Sequence, residues 1–261
     1  MVSRFRERNE ILNAVWFPGA EDDPWRPYRE LIEGSRQGAS LVIDLGAGPL
    51  DAAREWLEVS PSHSSHAVVI GIDRDTRALR RNPGKYRVVA DGAQLPFRDG
   101  SIDLALSRYT FEHIRNPKAT IQEIARVLKP QKSLVFVTPH RWCYVSVASR
   151  FTPMWFHRLI YRLLGSSAEN LPYCPTYYRM NTPRKIRVQA EKAGLTVSKL
   201  RVTVGPPEYT KFLPPFLHRL FVRFHALLER SPRLCQYLGV SLFGVLQKRS
   251  PETSPSSQRP A

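Results

Sequence analysis

The spacing of apolar runs along this chain predicts an α/β fold built around a parallel sheet. Strand-like runs occupy 40–45, 67–72, 86–90, 102–107 and 133–138, and helix-like stretches lie between them near 51–58, 75–81 and 117–128. Strands that alternate with helices in this way pair in parallel through right-handed crossovers. Further along, a helix with a capped start at 181–183, an alternating strand at 195–204 and a last strand near 239–247 continue the pattern.

A glycine turn after the first strand indicates a nucleoside ligand. The run Leu41-Val-Ile-Asp-Leu-Gly-Ala-Gly48 is a buried strand followed by Gly46 and Gly48, which let the backbone turn sharply and approach a ligand closely. The second run, Ala67-Val-Val-Ile-Gly-Ile72, ends at Asp73, whose carboxylate can accept both hydroxyls of a ribose. Strand, glycine turn, helix, strand and acid together form the layout of a nucleoside site.

The residues after the turn argue against a phosphorylated nucleoside. A dinucleotide site has a third glycine in G-x-G-x-x-G, and the residue at that position is Asp51, which would face a pyrophosphate. The chain also lacks the G-x-x-x-x-G-K-[ST] pattern of a phosphate-binding P-loop. S-adenosylmethionine fits better, because it has no phosphate and because its cationic sulfonium tolerates Asp44 and Asp51 near the loop. The sequence therefore predicts S-adenosylmethionine as cofactor.

The net charge predicts an anionic partner. The 261 residues include 39 Lys and Arg against 23 Asp and Glu, a formal net charge of +16, which favours membrane lipid or nucleic acid. The 3 cysteines are far apart and form no C-x-x-C pair, so neither a disulfide framework nor a metal site is predicted. No signal peptide or apolar span is recognisable, which predicts a cytoplasmic protein, with peripheral contact at the inner face of a membrane.

The expected organisation is one domain over residues 1–248 with additions to its core. Residues 1–35 are predicted as an N-terminal cap, and 140–180 and 205–236 as helical lid insertions. The polar, Pro/Ser-rich segment 249–261 is predicted to be a disordered tail.

Both insertions contain apolar residues at helical spacing next to arginines. Arg158 and Arg162 accompany the apolar face of the first, and Arg219 and Arg223 that of the second. Such faces are typical of a lid over an apolar pocket and of a helix that lies on an anionic membrane, and the two interpretations are compatible.

Six short motifs support a more specific interpretation. They are Val42-Ile-Asp-Leu-Gly-Ala-Gly48, Gly71-Ile-Asp73, Ala90-Asp-Gly-Ala-Gln-Leu-Pro-Phe97, Ser101-Ile-Asp-Leu-Ala-Leu-Ser107, Phe111-Glu-His-Ile114 and Glu123-Ile-Ala-Arg-Val-Leu-Lys-Pro130. In this order and at this spacing they resemble the class I S-adenosylmethionine-dependent methyltransferases, particularly the ubiquinone/menaquinone-biosynthesis type. The resemblance implies a three-layer, Rossmann-like methyltransferase fold with a seven-stranded, mostly parallel sheet. The last strand of that sheet would be antiparallel.

The resemblance also implies residues for the methionine and ribose parts of the cofactor. The loop at Gly46 and Gly48, with Asp44 before it, would pass the methionine part, and Asp73 would bind the ribose hydroxyls. The family usually has a further glycine in this loop, where the chain has Leu50. That departure leaves a non-catalytic methyltransferase-like scaffold as an alternative.

For the adenine and the reacting end, the resemblance implies residues after the third and fourth strands. Asp91, with the backbone of Gly92 and Ala93, would read the adenine edge, because a carboxylate accepts from the exocyclic amine and an amide N–H donates to a ring nitrogen. Ser107 and Arg108 would lie beside the point of methyl transfer.

Two histidines are candidate catalytic bases. His113 follows the fourth strand and His140 the fifth, at the carboxyl edge of the sheet, where ligands bind in such folds. An imidazole titrates near working pH and can take the proton that an acceptor loses. Tyr109 and Glu112 are alternatives.

The predicted acceptor is a small hydrophobic or lipid-linked molecule, methylated on O, N or C. The aromatic and apolar faces of the insertions favour it. RNA is the alternative acceptor because of the charge, but the fourth strand ends in Ser107-Arg-Tyr-Thr110, unlike the run found in base-amine methyltransferases. No appended RNA-binding module is recognisable either.

Overall fold

The computed structural model describes residues 2–18, 25–50, 53, 57, 67–151 and 175–250. The strands are β1 (Leu41–Leu45), β2 (Val68–Asp73), β3 (Tyr86–Val89), β4 (Ile102–Arg108), β5 (Leu128–Pro139), β6 (Leu195–Thr203) and β7 (Ser241–Lys248). The helices of these ranges are α1 (Val2–Trp16), α2 (Arg26–Glu33), α3 (Thr76–Arg81), α4 (Pro117–Val127), α5 (Tyr144–Phe151), α6 (Pro183–Lys192), α7 (Pro215–Arg230) and α8 (Pro232–Leu238).

All seven strands form one sheet in the order β3-β2-β1-β4-β5-β7-β6. Neighbours from β3 to β5 pair in parallel, and β7 pairs antiparallel with both β5 and β6. The predicted seven-stranded sheet with a reversed last strand is confirmed. Because the chain order reverses between β1 and β4, the carboxyl ends of these two strands flank a crevice that is open to ligands.

The alternation of side chains along the strands gives each face of the sheet its own core. Ile43 of β1 packs with Ile121 and Ile124 of α4 on one face. Val42, next in the chain, packs with Tyr28 and Ile32 of α2 on the other face. Ala53 and Leu57 pack on that second face, as expected for a helix opposite α4, but the rest of the predicted helix 51–58 lies outside the described residues.

The fifth strand begins earlier than the sequence predicts. Its pairing with β4 is regular from Ser133 onward, but an irregularity separates this stretch from the pair Ile102 and Leu128. Gln131 has φ 63° inside the irregularity. The Lys-Pro-Gln run therefore forms a bulge in the strand. This is why the apolar pattern predicts the strand only from residue 133 onward.

The second insertion packs against the N-terminal cap. Asn9 of α1 donates its amide N–H groups to the carbonyls of Lys211 (2.9 Å) and Leu213 (2.8 Å), and the buried His218 of α7 contacts Asn13 at 3.0 Å. The opposite side of α7 leaves Phe216 exposed by 69%, and Leu220 and Leu227 are also exposed.

Two predicted features lie outside the described residues. These are most of the first insertion, including Arg158 and Arg162, and the tail beyond residue 250. Among the helices that are described, none combines the length and apolarity needed to cross a membrane.

Candidate cofactor and acceptor site

The glycine loop after β1 is fixed by backbone bonds to the neighbouring strand. Gly46 and Ala47 donate their N–H groups to the carbonyl of Ile72, at 2.8 and 3.0 Å. Gly46 has φ 74°, and a Cβ at this position would overlap the side chain of Thr110. Thr110 in turn donates its hydroxyl to the carbonyl of Leu45 at 3.0 Å. Glycine is therefore required here by both the backbone conformation and the close approach.

The carboxylate of Asp73 is held at the end of β2 by two backbone amides. Gly48 donates its N–H to Oδ2 and Asp75 donates its N–H to Oδ1, both at 2.9 Å. Each carboxylate oxygen accepts at two positions. After these bonds, both oxygens of this half-buried group can still accept from a ligand, which is what a ribose diol requires.

Asn82, which the sequence analysis missed, fastens the other end of the glycine loop. Its amide N–H groups donate to the carbonyls of Gly48 (3.0 Å) and Leu50 (2.8 Å), and its Oδ1 accepts the N–H of Gly84 at 2.8 Å. The side chain of Leu50, at the position where the family usually has glycine, is turned outward and is 57% exposed. Two hydrogen bonds from one buried amide thus define the path of the loop, and the third holds the amide itself in place.

A tight turn after β3 presents Asp91. The side-chain Oδ1 of Asp91 accepts the N–H of Ala93, and its carbonyl accepts the N–H of Gln94, both at 2.9 Å. Gly92 lies close to the core, since a Cβ there would be 3.2 Å from Leu45 and 3.3 Å from Thr120. The Ala93 N–H, which the sequence analysis assigned to adenine, is used inside this turn.

These elements line one cavity of about 1040 Å³ at the carboxyl edge of the sheet. Eight predicted site residues contribute to its wall: Gly46, Gly48, Asp73, Asp91, Gly92, Ala93, Arg108 and His113. The residues between 108 and 120, together with Arg179, form the rest of the wall. No residue of the insertion 205–236 lines it.

Three predicted site residues, Asp44, Ser107 and His140, lie elsewhere. Asp44 and Ser107 are buried beside Tyr28, whose hydroxyl oxygen accepts the N–H of Ser107 at 3.2 Å. Burial, and next the charge of Asp44, raise the pKa of Tyr28. These residues therefore support the strand ends from behind the cavity.

His140 is a buried, neutral histidine. It is 1% exposed, and its Nδ1 accepts the N–H of Trp142 at 3.2 Å. Burial lowers the pKa of His140 to about 4. The structure brings His113 to the cavity, but not His140.

His113 stands in the cavity wall in front of a buried carboxyl group. Its Nδ1 lies 3.1 Å from the carbonyl of Pro175. Because a carbonyl only accepts, Nδ1 carries the proton in the neutral ring, and Nε2 is the basic nitrogen. Nε2 is 4.0 Å from Oε1 of Glu112.

Glu112 belongs to a network of buried, hydrogen-bonded polar side chains that also includes Thr138 and Asn181. Its Oε2 accepts the hydroxyl of Thr138 on β5 at 3.0 Å, and Thr138 accepts an amide N–H of Asn181 at 2.6 Å. Burial raises the pKa of Glu112 to about 7. A carboxyl group that titrates near neutrality next to an imidazole is a candidate for proton transfer.

The residues of the cavity fit S-adenosylmethionine. A Cβ at Gly48 would meet nothing within 4 Å, so the backbone of the loop is open toward a ligand. Asp73 and Asp91 offer acceptors to a neutral nucleoside. Within the described ranges, no three His, Cys, Asp or Glu side chains are grouped as metal ligands.

Comparisons with known proteins show which family part of the chain is similar to. Residues 43–136 match the family described as Methyltransferase domain. An uncharacterized methyltransferase of Mycobacterium sp. (strain JLS) is 32% identical over 113 residues, which are 41% of this chain and 40% of that protein. A demethylmenaquinone methyltransferase of Thermotoga maritima is 27% identical over 143 residues, 52% of this chain and 59% of that protein. The chain thus matches only part of the length of these relatives.

A solved structure extends the likeness of the fold to nearly the whole chain. In the complex of the Haloferax volcanii Trm112 methyltransferase activator with a methyltransferase, one chain superimposes with a TM-score of 0.57. The match covers 95% of this chain and 98% of that chain at 19% identity. The sheet order and this superposition show that the chain has the fold of class I methyltransferases. Residues 43–136 are thus similar to a methyltransferase domain, and the fold of the chain is that of the Haloferax structure.

Proposed function

We propose that the protein transfers a methyl group from S-adenosylmethionine to an O, N or C atom of a small hydrophobic or lipid-linked acceptor. One observation carries the proposal: the glycine loop with Asp73 and the imidazole of His113 share the wall of a single cavity of about 1040 Å³. Ligand pockets commonly measure about 300–1,000 Å³. This cavity therefore has room for a nucleoside and an acceptor together.

The chain's own residues would hold the cofactor by its nucleoside. Asp73 would accept both ribose hydroxyls with the lone pairs that its backbone bonds leave, and Asp91 would accept from the adenine amine. When bound, S-adenosylmethionine supplies an electrophilic methyl group. The glycine loop would place the reacting end next to the side chains that follow β4, among them Arg108 and His113.

We further propose that His113 accepts the acceptor's proton at Nε2. Methyl transfer to oxygen or nitrogen requires that proton to leave, and a positioned base contributes about 10²–10⁴-fold. Above a pH of about 7, where Glu112 loses its proton, the carboxylate 4.0 Å away would stabilise the imidazolium that forms. Glu112 is then a positioning residue, because it acts through His113.

This role is tested by the pH dependence of turnover. H113Q is expected to lower kcat by about 100-fold. E112Q is expected to lower kcat less and to remove the rise in rate around neutral pH. An unchanged profile in E112Q would contradict the coupling of Glu112 to His113, and an unchanged kcat in H113Q would contradict the base.

The hydrophobic acceptor is supported by the exposed apolar surface of the second insertion. Phe216, Leu220 and Leu227 are exposed on one side of α7, and Arg219 and Arg223 border them. The Thermotoga relative is named for demethylmenaquinone, an acceptor of this class. We propose that this side of α7 contacts an anionic membrane, where apolar acceptors concentrate.

The membrane contact is tested by sedimentation with vesicles of phosphatidylglycerol or phosphatidylcholine at low and high salt. Binding is expected for the anionic vesicles and should weaken with salt. The variant R219E/R223E should lose it. Equal binding of this variant would show that the two arginines are only solvated.

The acceptor class is tested by incubating the protein with S-adenosylmethionine labelled on its methyl group and with lipid, small-molecule or RNA fractions. Label in the lipid or small-molecule fraction is the expected result, and D73A should reduce it when the cofactor is below saturation. Label in tRNA or ribosomal RNA would overturn the acceptor proposal. Binding of the cofactor without any transfer would support the non-catalytic scaffold.

A further inference from the structure

Charges of opposite sign line different parts of the cavity. The wall built from residues 45–50, 72–78 and 90–93 is mainly acidic, since it carries Asp73, Asp75 and Asp91 and one cation, Arg74. The opposite wall is lined by Arg108, Arg115, Lys118 and Arg179, whereas the carboxyl group of Glu112 is buried behind His113 and does not line the cavity. The first part suits a cofactor whose reacting end is cationic. The second part suits an anion.

Among the described residues, Arg115, Lys118 and Arg179 have no acidic partner. No carboxylate among the described residues pairs with Arg115, Lys118 or Arg179, although carboxylates elsewhere pair with many basic side chains, as Asp99 and Glu123 do with Arg126. Charges left without a counterion at the wall of a cavity attract anionic ligands.

Arg179 is also held in place. Its Nη1 donates to the carbonyl of Arg115 at 2.7 Å, and its guanidinium lies 5.5 Å from the centre of the Tyr177 ring. These contacts hold the guanidinium of Arg179 beside the backbone of Arg115 and do not neutralise its charge. A planar guanidinium fixed in this way is suited to bidentate recognition of phosphate.

We propose that Arg115, Lys118 and Arg179 form a subsite for a phosphate or diphosphate group of the acceptor. The inference rests on the proposed methyltransferase function and refines it. The acceptor would carry an apolar part, which Ile114 and Tyr109 contact in the same wall, and a phosphate group, which the three cations hold. The phosphate would orient the acceptor, while His113 remains at the reacting atom.

The test uses the full chain saturated with S-adenosylhomocysteine, so that pyrophosphate can bind only where the cofactor and its carboxylate do not. Calorimetry with inorganic pyrophosphate should then show saturable binding. Acetate, which has one negative charge, should bind at least about tenfold more weakly. R115Q, K118Q and R179Q should each weaken pyrophosphate binding about fivefold or more. R187Q, at an exposed position on α6 outside the cavity, is the matched control and should leave binding unchanged.

A further titration distinguishes a lipid-linked phosphate from a polar phosphorylated acceptor. Tighter binding of farnesyl diphosphate than of pyrophosphate would assign the subsite to a lipid-linked phosphate, and equal affinity would assign it to a polar phosphorylated acceptor. The inference is overturned if pyrophosphate does not bind to the saturated protein, or if the three variants bind it as the wild type does. A separate titration with S-adenosylhomocysteine keeps the outcomes distinct, because only the loss of that binding would contradict the methyltransferase function itself.

Discussion

Replacing Glu112 by glutamine should change how the stability of the protein depends on pH. The carboxyl group is buried, with 5% of the residue exposed, and the hydroxyl of Thr138 is its hydrogen-bonded partner. Burial raises its pKa from 4.5 to about 7 in the folded state. Glutamine has nearly the same shape, can accept the same hydrogen bond from Thr138 and does not ionise.

The direction of the pH dependence follows from whether the folded or the unfolded chain binds the proton of Glu112. Between a pH of about 4.5 and about 7, the unfolded chain loses the proton of Glu112 while the folded chain keeps it, so the free energy of unfolding falls as pH rises. Each pKa unit corresponds to about 1.4 kcal/mol. The group therefore removes about 3 kcal/mol of stability by the time the pH exceeds 7.

Denaturant unfolding of wild type and E112Q at several pH values measures this effect. Near pH 5 the two proteins should be about equally stable, and near pH 8 the variant should have gained about 3 kcal/mol relative to wild type. E191Q is the matched control, since Glu191 is exposed on α6 and the same substitution there should leave the wild-type pH dependence intact.

A stability difference between E112Q and wild type that stays constant from acid to alkaline pH would refute the reasoning. It would mean that the carboxyl group ionises in the folded protein as readily as in the unfolded chain. The proposed coupling of Glu112 to His113 would then lose its basis as well.

Three further substitutions test the cofactor site. D73A should lower the affinity for S-adenosylhomocysteine at least about tenfold in calorimetry, since charge-assisted hydrogen bonds contribute about 1.5–3 kcal/mol each; unchanged affinity would remove Asp73 from the ribose site. G46A should cost more unfolding free energy than G100A, because both glycines have positive φ (74° and 58°) but only a Cβ at Gly46 meets a neighbouring side chain. N82A should destabilise the protein by about 2 kcal/mol in denaturant unfolding and weaken cofactor binding, because the carbonyls of the glycine loop lose their donor; full cofactor affinity in N82A would show that the loop holds its path without it.

The parts of the fold that local patterns encode were predictable. Strand ends at Leu45, Asp73 and Arg108 follow from apolar runs that stop at a turn or a charge, and these ends position the cofactor site. The start of β5 was not predictable, because the bulge at Gln131 depends on pairing with β4 rather than on local propensity. The reversed strand β7 was expected only from the family resemblance, since its composition does not differ from that of a parallel strand.

The candidate site divides in the same way. The glycine loop follows β1, and Asp73 ends β2, the next strand in the sequence. The sequence therefore predicts that the two lie close together. Asn82 contacts the loop from the end of α3. Its three hydrogen bonds, to two carbonyls and one backbone amide, could not be predicted, because the residues around Asn82 in the sequence give no sign of them. His140 shows the converse, because a histidine at a strand end turned into the core instead of the cavity.

The buried chain from Asn181 through Thr138 to Glu112 links the sheet's reversed half to the cavity. Asn181 precedes α6, Thr138 lies near the end of β5, and Glu112 stands behind His113. The backbone carbonyl of Glu112 also accepts the N–H groups of Tyr177 and Tyr178, at 2.6 and 3.1 Å. Because Arg179 follows these tyrosines, the segment that sets the environment of the proposed base also places the proposed phosphate ligand. The backbone of Glu112 therefore positions the segment that carries Arg179, while its carboxyl group lies behind His113.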